Sequence, residues 1–470
     1  MQWMKTLVNT MGHVKAGYPG GWKSHAWGSE ETGSTPPFIQ PTDPEDRRSL
    51  IPAEGLREYW YPALPAKAVG RKRPVALKIA GIKLVLFRDA AGDVKALWDY
   101  CPHRGVYLSL GQCYWKGYLT CNYHGATFDG NGECVEFITE GPDSKMVGRA
   151  NARAFPTRTL KGVVFVWMGE AEPVAIEEDV PPEFFDSKSF IQTTFRYWQC
   201  NWMIALENTG DAHNRFFVHR NSFRVLRSKL GGRPRTPIGL RVEIVDGKTV
   251  KRVERTGTKA SNSSMSGVSI AIADEKHPEA YYAVDGKLPY KLYHPRVNNY
   301  WPLHRWRQLW SWFFDIFESR KTKRPRFPNP PGWEGQRLPG IVRNNHHTHM
   351  YTRWGVPVDK DVTRTVYFFA SQPSNWLGRI YDRLSFTYFL NWMINYNFSD
   401  QDYDAMRSAQ YQYPEYLSST DYPVVALRKL VTEHARGIQR SVQLPEETAA
   451  EKVMAEAERL LGVAPSQIKP

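Results

Sequence analysis

The sequence predicts an α+β protein in which a small all-β domain precedes a larger domain of strands and helices. Its 470 residues are many for one domain and sufficient for two domains, each with its own core. Short β-type runs at Val75–Ile79 and 82–87, separated by turn residues, indicate the all-β domain. A strand-like segment at Phe190–Trp198 and an amphipathic helical run at Trp202–Glu207 indicate the start of the second domain.

Composition divides the chain into five segments. The first is rich in Gly, Pro, Ser and Thr, and we expect it to be partly disordered because it buries too little apolar surface to offset the entropy of ordering. The all-β domain ends after the apolar run at 163–169, and a Pro-rich connector leads to the second domain. The segments are an arm (1–55), the all-β domain (56–172), the connector (173–190), the second domain (191–440) and a C-terminal surface helix (441–470).

The composition indicates an apolar ligand and argues against several function classes. Aromatic residues make up 13% of the chain, with 17 Trp, which exceeds what packing alone usually requires and suggests large apolar pockets. The formal charge of +14 suits an acidic redox partner or an anionic lipid surface; a nucleic-acid partner is disfavoured because no binding module is recognisable and the arginines are scattered. The first 21 residues lack the apolar core of a secretory signal, and no run of 18 apolar residues suggests a bilayer span.

Two short motifs, CPHRG and CNYHG, place a cysteine and a histidine at the tip of each of two loops. The side chains are Cys101 and His103 in the first loop, and Cys121 and His124 in the second. In a Rieske [2Fe–2S] centre, two cysteines hold one iron and two histidines hold the other. Zinc is the alternative, since two Cys and two His can bind it tetrahedrally, but zinc loops usually pair like with like. We therefore expect these four residues to hold a Rieske cluster.

The other cysteines bear on the type of cluster and on the compartment. Rieske proteins of respiratory chains resemble one another in carrying an extra cysteine in each loop, joined as a disulfide, whereas Val106 and Tyr123 hold those places here. Cys113, Cys134 and Cys200 lie elsewhere, and an odd set of five cysteines suggests reduced thiols in the cytoplasm. The cluster therefore resembles the lower-potential type found in oxygenases.

A second polar cluster follows the helical run of the second domain. Asp211, His213 and His219 lie within nine residues of one another. Two histidines and one carboxylate leave adjacent positions open on a ferrous ion, as the activation of dioxygen requires. Polar clusters at helix ends are also common without any such role. We favour an iron site, because an electron-supplying cluster in a two-domain chain needs an electron-consuming site.

With these two centres, the chain resembles the catalytic subunit of the Rieske non-haem iron oxygenases from about residue 56 to about residue 415. The resemblance rests on CPHRG followed by SLG, on CNYHGATFDGNG, on NWMIALEN before the Asp/His cluster and on VPVDKDVTR at 356–364. It implies a Rieske domain followed by a helix-grip, START-like catalytic domain with a long curved antiparallel sheet. It also implies that Asp211 bridges a cluster histidine of one subunit and an iron-ligand histidine of its neighbour, most simply in a head-to-tail homotrimer.

The resemblance further implies that His213 and His219 are ligands of a mononuclear iron. The family usually places its first histidine three residues after the bridging aspartate, and Asn214 holds that position here. We expect His213 to be the ligand because asparagine is a poor ligand for ferrous iron. Asn214 remains the alternative for this position.

The third iron ligand is expected far downstream, in NFSDQDYDAMRSAQYQY. This segment resembles the family's late helix, in which an aspartate follows an acidic or amide residue and precedes a glutamine by eight positions. Asp402 fits best, and Asp400 is the alternative. The histidines His346, His347 and His349 lie in a strand-like stretch, NNHHTHMYTRW, and we expect them to form hydrogen bonds, with one of them facing the pocket as the alternative.

Two aromatic segments have the apolar spacing of amphipathic helices. The first spans 301–321 and is followed by the basic run KTKRPR; the second spans 374–398 and repeats Leu377, Ile380, Tyr381, Leu384 and Tyr388. We expect both to pack over the curved sheet and to roof the pocket. The alternative is a peripheral membrane face with a basic collar.

Together these features predict a terminal oxygenase that hydroxylates a hydrophobic substrate, aromatic or polycyclic or terpenoid-like, by mono- or dioxygenation. Electrons from NAD(P)H would come through a separate reductase, with or without a ferredoxin, since the chain shows no dinucleotide-binding G-x-G-x-x-G after a strand. Oxidative dealkylation or desaturation at the same centre is one alternative. A Rieske electron-transfer protein without oxygenase activity is the other.

Overall fold

The structure, a computed structural model, describes most of both predicted domains. The described residues are 47–209, 218, 235–237, 241–245, 248–253, 270–272, 327–328, 330, 333, 335–345, 349–411, 415–417 and 421–438. Several features named above lie outside them, namely most of the arm, Asp211, His213, Asn214, His219, the aromatic segment 301–321, His346, His347 and the C-terminal helix 441–470. These features stay predictions.

Short antiparallel strands build the first domain. They are β1 (Trp60–Pro65), β2 (Val75–Ile79), β3 (Ile82–Arg88), β4 (Val94–Trp98), β5 (Leu119–Thr120), β6 (Ala126–Phe128), β7 (Cys134–Phe137), β8 (Ala154–Phe155), β9 (Thr157–Leu160) and β10 (Val163–Trp167). Three sheets result, with the orders β2-β3-β4-β8, β1-β10-β9 and β5-β6-β7. The predicted strands at Val75–Ile79 and 82–87 are confirmed as β2 and β3, and the apolar run at 163–169 contains β10.

The second domain is organised on a seven-stranded antiparallel sheet. Its described strands are β11 (Phe190–Trp198), β12 (Arg235–Pro237), β13 (Arg241–Val245), β14 (Thr249–Val253), β15 (Ile270–Ile272), β16 (Gly335–Arg337), β17 (Ile341–Asn345), β18 (His349–Asp359) and β19 (Val362–Ser371). The sheet has the order β11-β19-β18-β17-β16-β14-β13, and β12 pairs with β15 apart from it. The long hairpin of β18 and β19 pairs from His349 with Ser371 to Asp359 with Val362. The predicted strand at 190–198 is confirmed as β11.

Helices pack on this sheet, in the α+β arrangement expected of a helix-grip domain. The described α-helices are α1 (Trp202–Glu207), α2 (Trp376–Ser385), α3 (Ser399–Met406) and α4 (Tyr422–His434). Between α2 and α3 the chain continues in wider π-helical turns at Phe386–Leu390 and Met393–Phe398, so 376–406 form one helical run. An apolar cluster that includes Phe386 and Phe369 joins this run to the sheet. None of the described helices combines the length and the apolar character needed to cross a membrane.

The two domains share a core and a backbone contact. The N–H groups of Ala80 and Gly81, at the turn between β2 and β3, donate to the carbonyls of Pro357 (2.8 Å) and Val358 (3.0 Å) in β18. One continuous apolar core runs from β10 through the connector to α1 and α4. The β domain is therefore fixed against the seven-stranded sheet, which holds its loops in one position relative to that sheet.

The connector differs from the expected Pro-rich linker, because it takes part in the core. Its 3₁₀ turns are Ile176–Glu178 and Pro182–Phe184. Asp179 accepts hydrogen bonds from Arg436 at 2.6 and 2.7 Å, and Glu183 accepts from Arg343 at 2.8 and 3.0 Å. Both carboxylates are buried, so these pairs tie the connector to chain segments more than 150 residues away.

We expect Arg343→Met to destabilise the second domain by about 3–5 kcal/mol, since it leaves the Glu183 carboxylate buried without its cation. The two side chains are only 1% and 2% exposed. Lys248→Met is the matched control: its pair with Glu178 is 40% and 42% exposed and contributes at most about 1 kcal/mol. Chemical denaturation followed by circular dichroism measures both. Equal, small shifts of the two midpoints would contradict the assigned role of Arg343.

Candidate metal centres

Two loops of the first domain, after β4 and after β5, have the same backbone frame. In each loop the N–H of the cysteine, Cys101 or Cys121, donates to the carbonyl five residues later. The N···O distance is 2.8 Å in both loops. The N–H of the glycine four residues after the cysteine donates back to the cysteine carbonyl. The N···O distance is 2.8 Å for Gly105 and 3.0 Å for Gly125. These glycines have φ values of 69° and 73°, a conformation that favours glycine over residues with a β-carbon. The glycines of the two motifs therefore close the loops that present the four candidate ligands.

The cysteines of these loops point inward, whereas the histidines lie at the tips. Cys101 and Cys121 are each 2% exposed and belong to the apolar core under the loops. Their thiols are hydrogen-bonded to each other, which raises the pKa of Cys101 and lowers that of Cys121 to about 6. The rings of His103 and His124 lie edge to face, with centroids 4.6 Å apart. The four side chains thus form one pair of thiols and one pair of imidazoles.

The donor set fits a [2Fe–2S] cluster with two ligands on each iron. His103 Nδ1 is buried and has no hydrogen-bond partner among the described residues. Burial, together with the neighbouring His124 and Arg104, lowers the pKa of His103 and favours the neutral ring. A neutral imidazole with an unused ring nitrogen is the form that binds a metal, and a thiol pair opposite an imidazole pair matches the Rieske arrangement.

An apolar surface surrounds the loop tips. Its members, each more than a third exposed, are Tyr107, Leu110, Tyr114, Trp115, Tyr123 and Ile138. The ring of Tyr123 lies 3.9 Å from that of His124, so this surface reaches the imidazole pair. An exposed apolar patch of this kind is typical of a protein contact surface.

The second candidate centre lies where the end of α1 meets α3. The side chain of Asn201 caps α1 by accepting from the N–H of Met203 at 2.9 Å. At the other end, the amide Nδ2 of Asn208 lies 3.4 Å from Oδ1 of Asp402, which is 4% exposed in the first turn of α3. The chain continues from Asn208 into residues 211–219, the predicted Asp/His cluster, which lie outside the described range apart from residue 218.

The other two aspartates of α3 have cationic partners. Asp400 forms an ion pair with Arg196 at 2.5 Å, and both side chains are about 10% exposed or less. Burial raises the pKa of Asp400 to about 6, although the Arg196 guanidinium acts in the opposite direction. Asp404 pairs with Arg407 at 3.4 Å near the surface. These contacts direct Asp400 to β11 and Asp404 to the next turn of its own helix, while Asp402 contacts the end of α1.

Buried aromatic residues line the sheet beneath α3. Burial raises the pKa of Tyr351 to about 12, and it also raises the pKa of Tyr367, so both phenols stay protonated at neutral pH. The ring of Trp198 stacks on that of Tyr403 with centroids 5.8 Å apart. His349, 9% exposed, opens β18 and lies 5.8 Å from Phe369. The surroundings of Asp402 are therefore largely apolar.

The structure brings the four Rieske candidates together, and it places Asp402 beside a residue that the sequence interpretation did not single out. That residue, Asn208, is the last residue of NWMIALEN, so it could have been chosen from the motif that precedes the Asp/His cluster. Nothing in the sequence marked Arg196 as the partner of Asp400. Across the described residues, no group of three or more His, Cys, Asp or Glu side chains is placed to hold one ion. His213 and His219 lie outside that range.

Comparison with known families covers the two cluster loops and the α1 part of the second candidate centre. Residues 59–152 match the Rieske [2Fe-2S] domain family, and residues 167–312 match the homotrimeric ring hydroxylase family. The chain therefore carries a Rieske domain followed by a ring hydroxylase domain. This pair of domains implies a Rieske [2Fe–2S] cluster and a mononuclear non-haem iron.

Curated relatives match part of the chain. The terminal oxygenase component of carbazole 1,9a-dioxygenase from a Sphingomonas sp. is 38% identical over 201 residues, which are 41% of this chain and 52% of the relative. The phthalate 4,5-dioxygenase oxygenase subunit of Pseudomonas putida is 31% identical over 223 residues, 45% of this chain and 50% of the relative. The 5,5'-dehydrodivanillate O-demethylase oxygenase subunit of a Sphingobium sp. is 29% identical over 193 residues, which are 40% of this chain and 44% of the relative. The chain spans about half the length of the curated relatives it matches.

Solved structures share the fold over most of the chain. The terminal oxygenase of carbazole 1,9a-dioxygenase from Nocardioides aromaticivorans IC177 has a TM-score of 0.61 at 23% identity, covering 83% of this chain and 98% of that chain. The carbazole 1,9a-dioxygenase oxygenase in a complex with ferredoxin has a TM-score of 0.60 at 24% identity, covering 83% and 93%. The order of the two domains is therefore common to these proteins and to this chain.

Proposed function

We propose that the chain is the terminal oxygenase component of a Rieske non-haem iron oxygenase. It uses dioxygen and electrons delivered by a separate reductase to hydroxylate a hydrophobic substrate. The observation that carries this proposal is the thiol pair and the imidazole pair on two matched loops of a Rieske domain, followed in the same chain by a ring hydroxylase domain. A cluster that passes on single electrons, in the same chain as a domain that would bind a mononuclear iron, suits the stepwise reduction of dioxygen.

The cluster ligands in this proposal are Cys101 and Cys121 on one iron and His103 and His124 on the other. When bound, the cluster accepts and passes on single electrons. The buried thiols would exclude water from the iron that they hold, and the partly exposed imidazoles would hold the other iron near the protein surface. Electrons would therefore enter and leave on the histidine side.

The mononuclear iron would be held by His213, His219 and Asp402. When bound, this iron supplies the open positions at which dioxygen is activated. The support for Asp402 is its burial and its contact with Asn208, whose amide orients the carboxylate from a position just before the predicted ligands. Asp211 would bridge this site and the cluster histidine of a neighbouring subunit.

We further propose a homotrimer that receives its electrons from a reductase, with or without a ferredoxin, in the cytoplasm. The apolar surface around Tyr107, Trp115 and Tyr123 supports a subunit contact at the cluster loops. A head-to-tail contact repeated around a threefold axis closes into a ring and leaves no free edge. The ferredoxin complex of the structurally similar carbazole oxygenase supports a ferredoxin-type donor.

The proposed substrate class is hydrophobic, either aromatic or polycyclic or terpenoid-like. Relatives named for carbazole and phthalate support an aromatic ring as the target. Oxidative dealkylation is the second candidate reaction, because another relative is named as an O-demethylase. Both reactions draw on the same iron and the same electrons, so they differ in the group that the pocket places next to the iron.

The experiment that tests this proposal is purification without oxygen, followed by mass spectrometry of co-purified small molecules. The recovered molecule is then incubated with ¹⁸O₂, a chemical reductant and the protein. We expect labelled oxygen in the product and about three iron atoms per chain, two in the cluster and one in the catalytic site. About two iron atoms per chain and no labelled product would instead indicate an electron-transfer protein.

We expect His103→Cys or His124→Cys to abolish the Rieske-type EPR signal or to shift it towards that of an all-thiolate cluster, because imidazole ligation sets the electronic character of the outer iron. The signal of the dithionite-reduced protein measures this change. Cys134→Ser, which alters another buried free cysteine, is the matched control and should leave the signal as in the wild type. Unchanged g-values in both histidine variants would overturn the ligand assignment.

A further inference from the structure

Helix α2 turns its apolar side chains outward. Trp376 is 69% exposed, Leu377 57%, Ile380 47% and Leu384 44%, and Tyr388 in the next turn is 47% exposed. Trp376, Ile380, Leu384 and Tyr388 follow one another at intervals of four residues, so they lie along one side of the helical run. The expectation that this stripe packs over the sheet is therefore wrong for these residues.

The side of α2 that packs on the protein is polar. Asp382 is 5% exposed and Ser385 is fully buried. The carbonyl of Asp382 accepts a hydrogen bond from Nε2 of Gln192 in β11, at 3.0 Å. The helix is thus held by these buried polar groups and by Tyr381, which packs on the apolar cluster of the sheet, while its apolar stripe stays exposed.

A basic cleft lies beside this apolar stripe. Its volume is about 610 Å³, and four cationic side chains line it, namely Lys161, Lys188, Arg379 and Arg383. No acidic side chain is found among the described residues that line it. The guanidinium groups of Arg379 and Arg383 lie 4.7 and 5.9 Å from the centroid of the Phe190 ring, which fixes them at the rim of the cleft.

The nearest acid along the chain, Asp186, is one carboxylate against the four cations of the cleft, so it offsets only part of their charge. Asp186 accepts hydrogen bonds from the hydroxyl of Ser189 and from the amide of Gln372, both at 2.7 Å. Lys161 donates from Nζ to the Ser189 carbonyl at 3.1 Å, which places its charge at the cleft. The cleft therefore combines a net positive charge with polar donors, as a phosphate group requires.

We propose that α2 is a docking surface for a bilayer containing anionic phospholipids. The apolar stripe from Trp376 to Tyr388 enters the interface between headgroups and acyl chains, and the cleft takes headgroup phosphates. A helix with a stripe of large apolar side chains flanked by arginines on the same exposed side is typical of interfacial binding. The formal charge of +14 and the four cations of the cleft are complementary to an anionic surface.

Docking at α2 does not involve Asp402. The stripe ends at Tyr388, 14 residues before Asp402, which corresponds to roughly 20 Å along a helix at about 1.5 Å per residue. A bilayer at α2 therefore lies far from Asp402, and its binding does not depend on turnover. The result of a binding experiment is in this way separate from the test of the oxygenase reaction.

The test is co-sedimentation of the full-length, metal-loaded protein with vesicles of phosphatidylcholine containing phosphatidylglycerol, compared with pure phosphatidylcholine. We expect binding to the anionic vesicles, weakened in 0.5 M salt, and little binding to the neutral vesicles. Arg379→Gln combined with Arg383→Gln should weaken the vesicle partition coefficient about tenfold or more. Lys67→Gln combined with Lys360→Gln is the matched control, since both lysines are exposed and neither lines the cleft.

The apolar stripe is tested separately with Leu377→Ser combined with Ile380→Ser. Both side chains are exposed, so this variant should fold and assemble normally while losing most of its vesicle binding. Light scattering reports the oligomeric state alongside the vesicle assay. Loss of the wild-type oligomer in this variant would assign the surface to a second copy of the chain and overturn the proposal. Equal binding of wild type and Arg variants to both kinds of vesicle would also overturn it.

Discussion

Asp402→Ala is expected to lower the iron content from about three atoms per chain to about two and to abolish substrate oxidation, while the cluster signal remains. Asp402 is buried, it occupies the first turn of α3, and its Oδ1 contacts the amide of Asn208. Removing the carboxylate deletes the proposed oxygen ligand of the mononuclear iron. Iron analysis together with EPR of the reduced cluster distinguishes loss of one centre from loss of both.

Neighbouring variants on the same helix separate ligation from packing. Asp404→Ala should keep all the iron, because Asp404 pairs with Arg407 near the surface. Asp400→Asn should lower stability, because it leaves the buried Arg196 without its carboxylate, but it should keep the catalytic iron. Retention of the third iron in Asp402→Ala, with its loss in Asp400→Asn, would assign the ligand to Asp400. Iron loss in Asn214→Ala would show that His213 is the wrong choice.

Asp211→Asn is expected to slow electron transfer between the two centres by orders of magnitude while leaving both of them filled. Asp211 follows Asn208 by three residues, and in the proposed trimer its carboxylate accepts hydrogen bonds from histidines on both sides. An amide can accept only through its oxygen, and it carries no charge, so the link between the centres weakens. Stopped-flow absorbance of cluster reoxidation with substrate and dioxygen measures the change.

The oligomeric state is the control for this variant. Asp211→Asn should remain a trimer with wild-type iron content, so that slower reoxidation is due to the link and not to loss of assembly. Tyr61→Phe is a substitution of similar size away from the proposed link between the centres. It removes a hydroxyl that donates a hydrogen bond to the Leu56 carbonyl inside the β domain. A wild-type protein that turns over fully as a monomer, or an Asp211→Asn variant with normal transfer, would contradict the bridging role.

Features that depend on neighbouring residues were predictable from the sequence. The strands β2, β3, β10 and β11 and the helix α1 have the expected positions, because alternation and helical spacing are local signals. The same holds for the two cluster loops: each is closed by a glycine four residues after its cysteine. The candidate cysteine and histidine of each loop lie within one short motif, so they could be predicted without knowledge of the tertiary fold.

Features that depend on distant partners were not predictable in this way. The connector carries carboxylates that are typical of a solvated linker, and only the structure shows Asp179 and Glu183 buried against Arg436 and Arg343. The apolar spacing of α2 predicts the observed helix, but spacing gives no information about which side meets the sheet. The contact between Asn208 and Asp402 joins residues 194 positions apart, a pairing that one sequence does not reveal.

The buried ion pair behind α1 bears on the order in which the two centres can form during synthesis. Glu207 accepts from Arg428 at 2.7 and 3.1 Å, and Arg428 follows it by 221 residues. At roughly 5–20 residues per second, a ribosome needs roughly 10–45 s to add that stretch. The cluster loops, with Cys101 and Cys121 only 20 residues apart, leave the ribosome far earlier. Insertion of the proposed cluster can therefore begin on a nascent chain, whereas the proposed iron site beside α1 is completed only after Arg428 has been added.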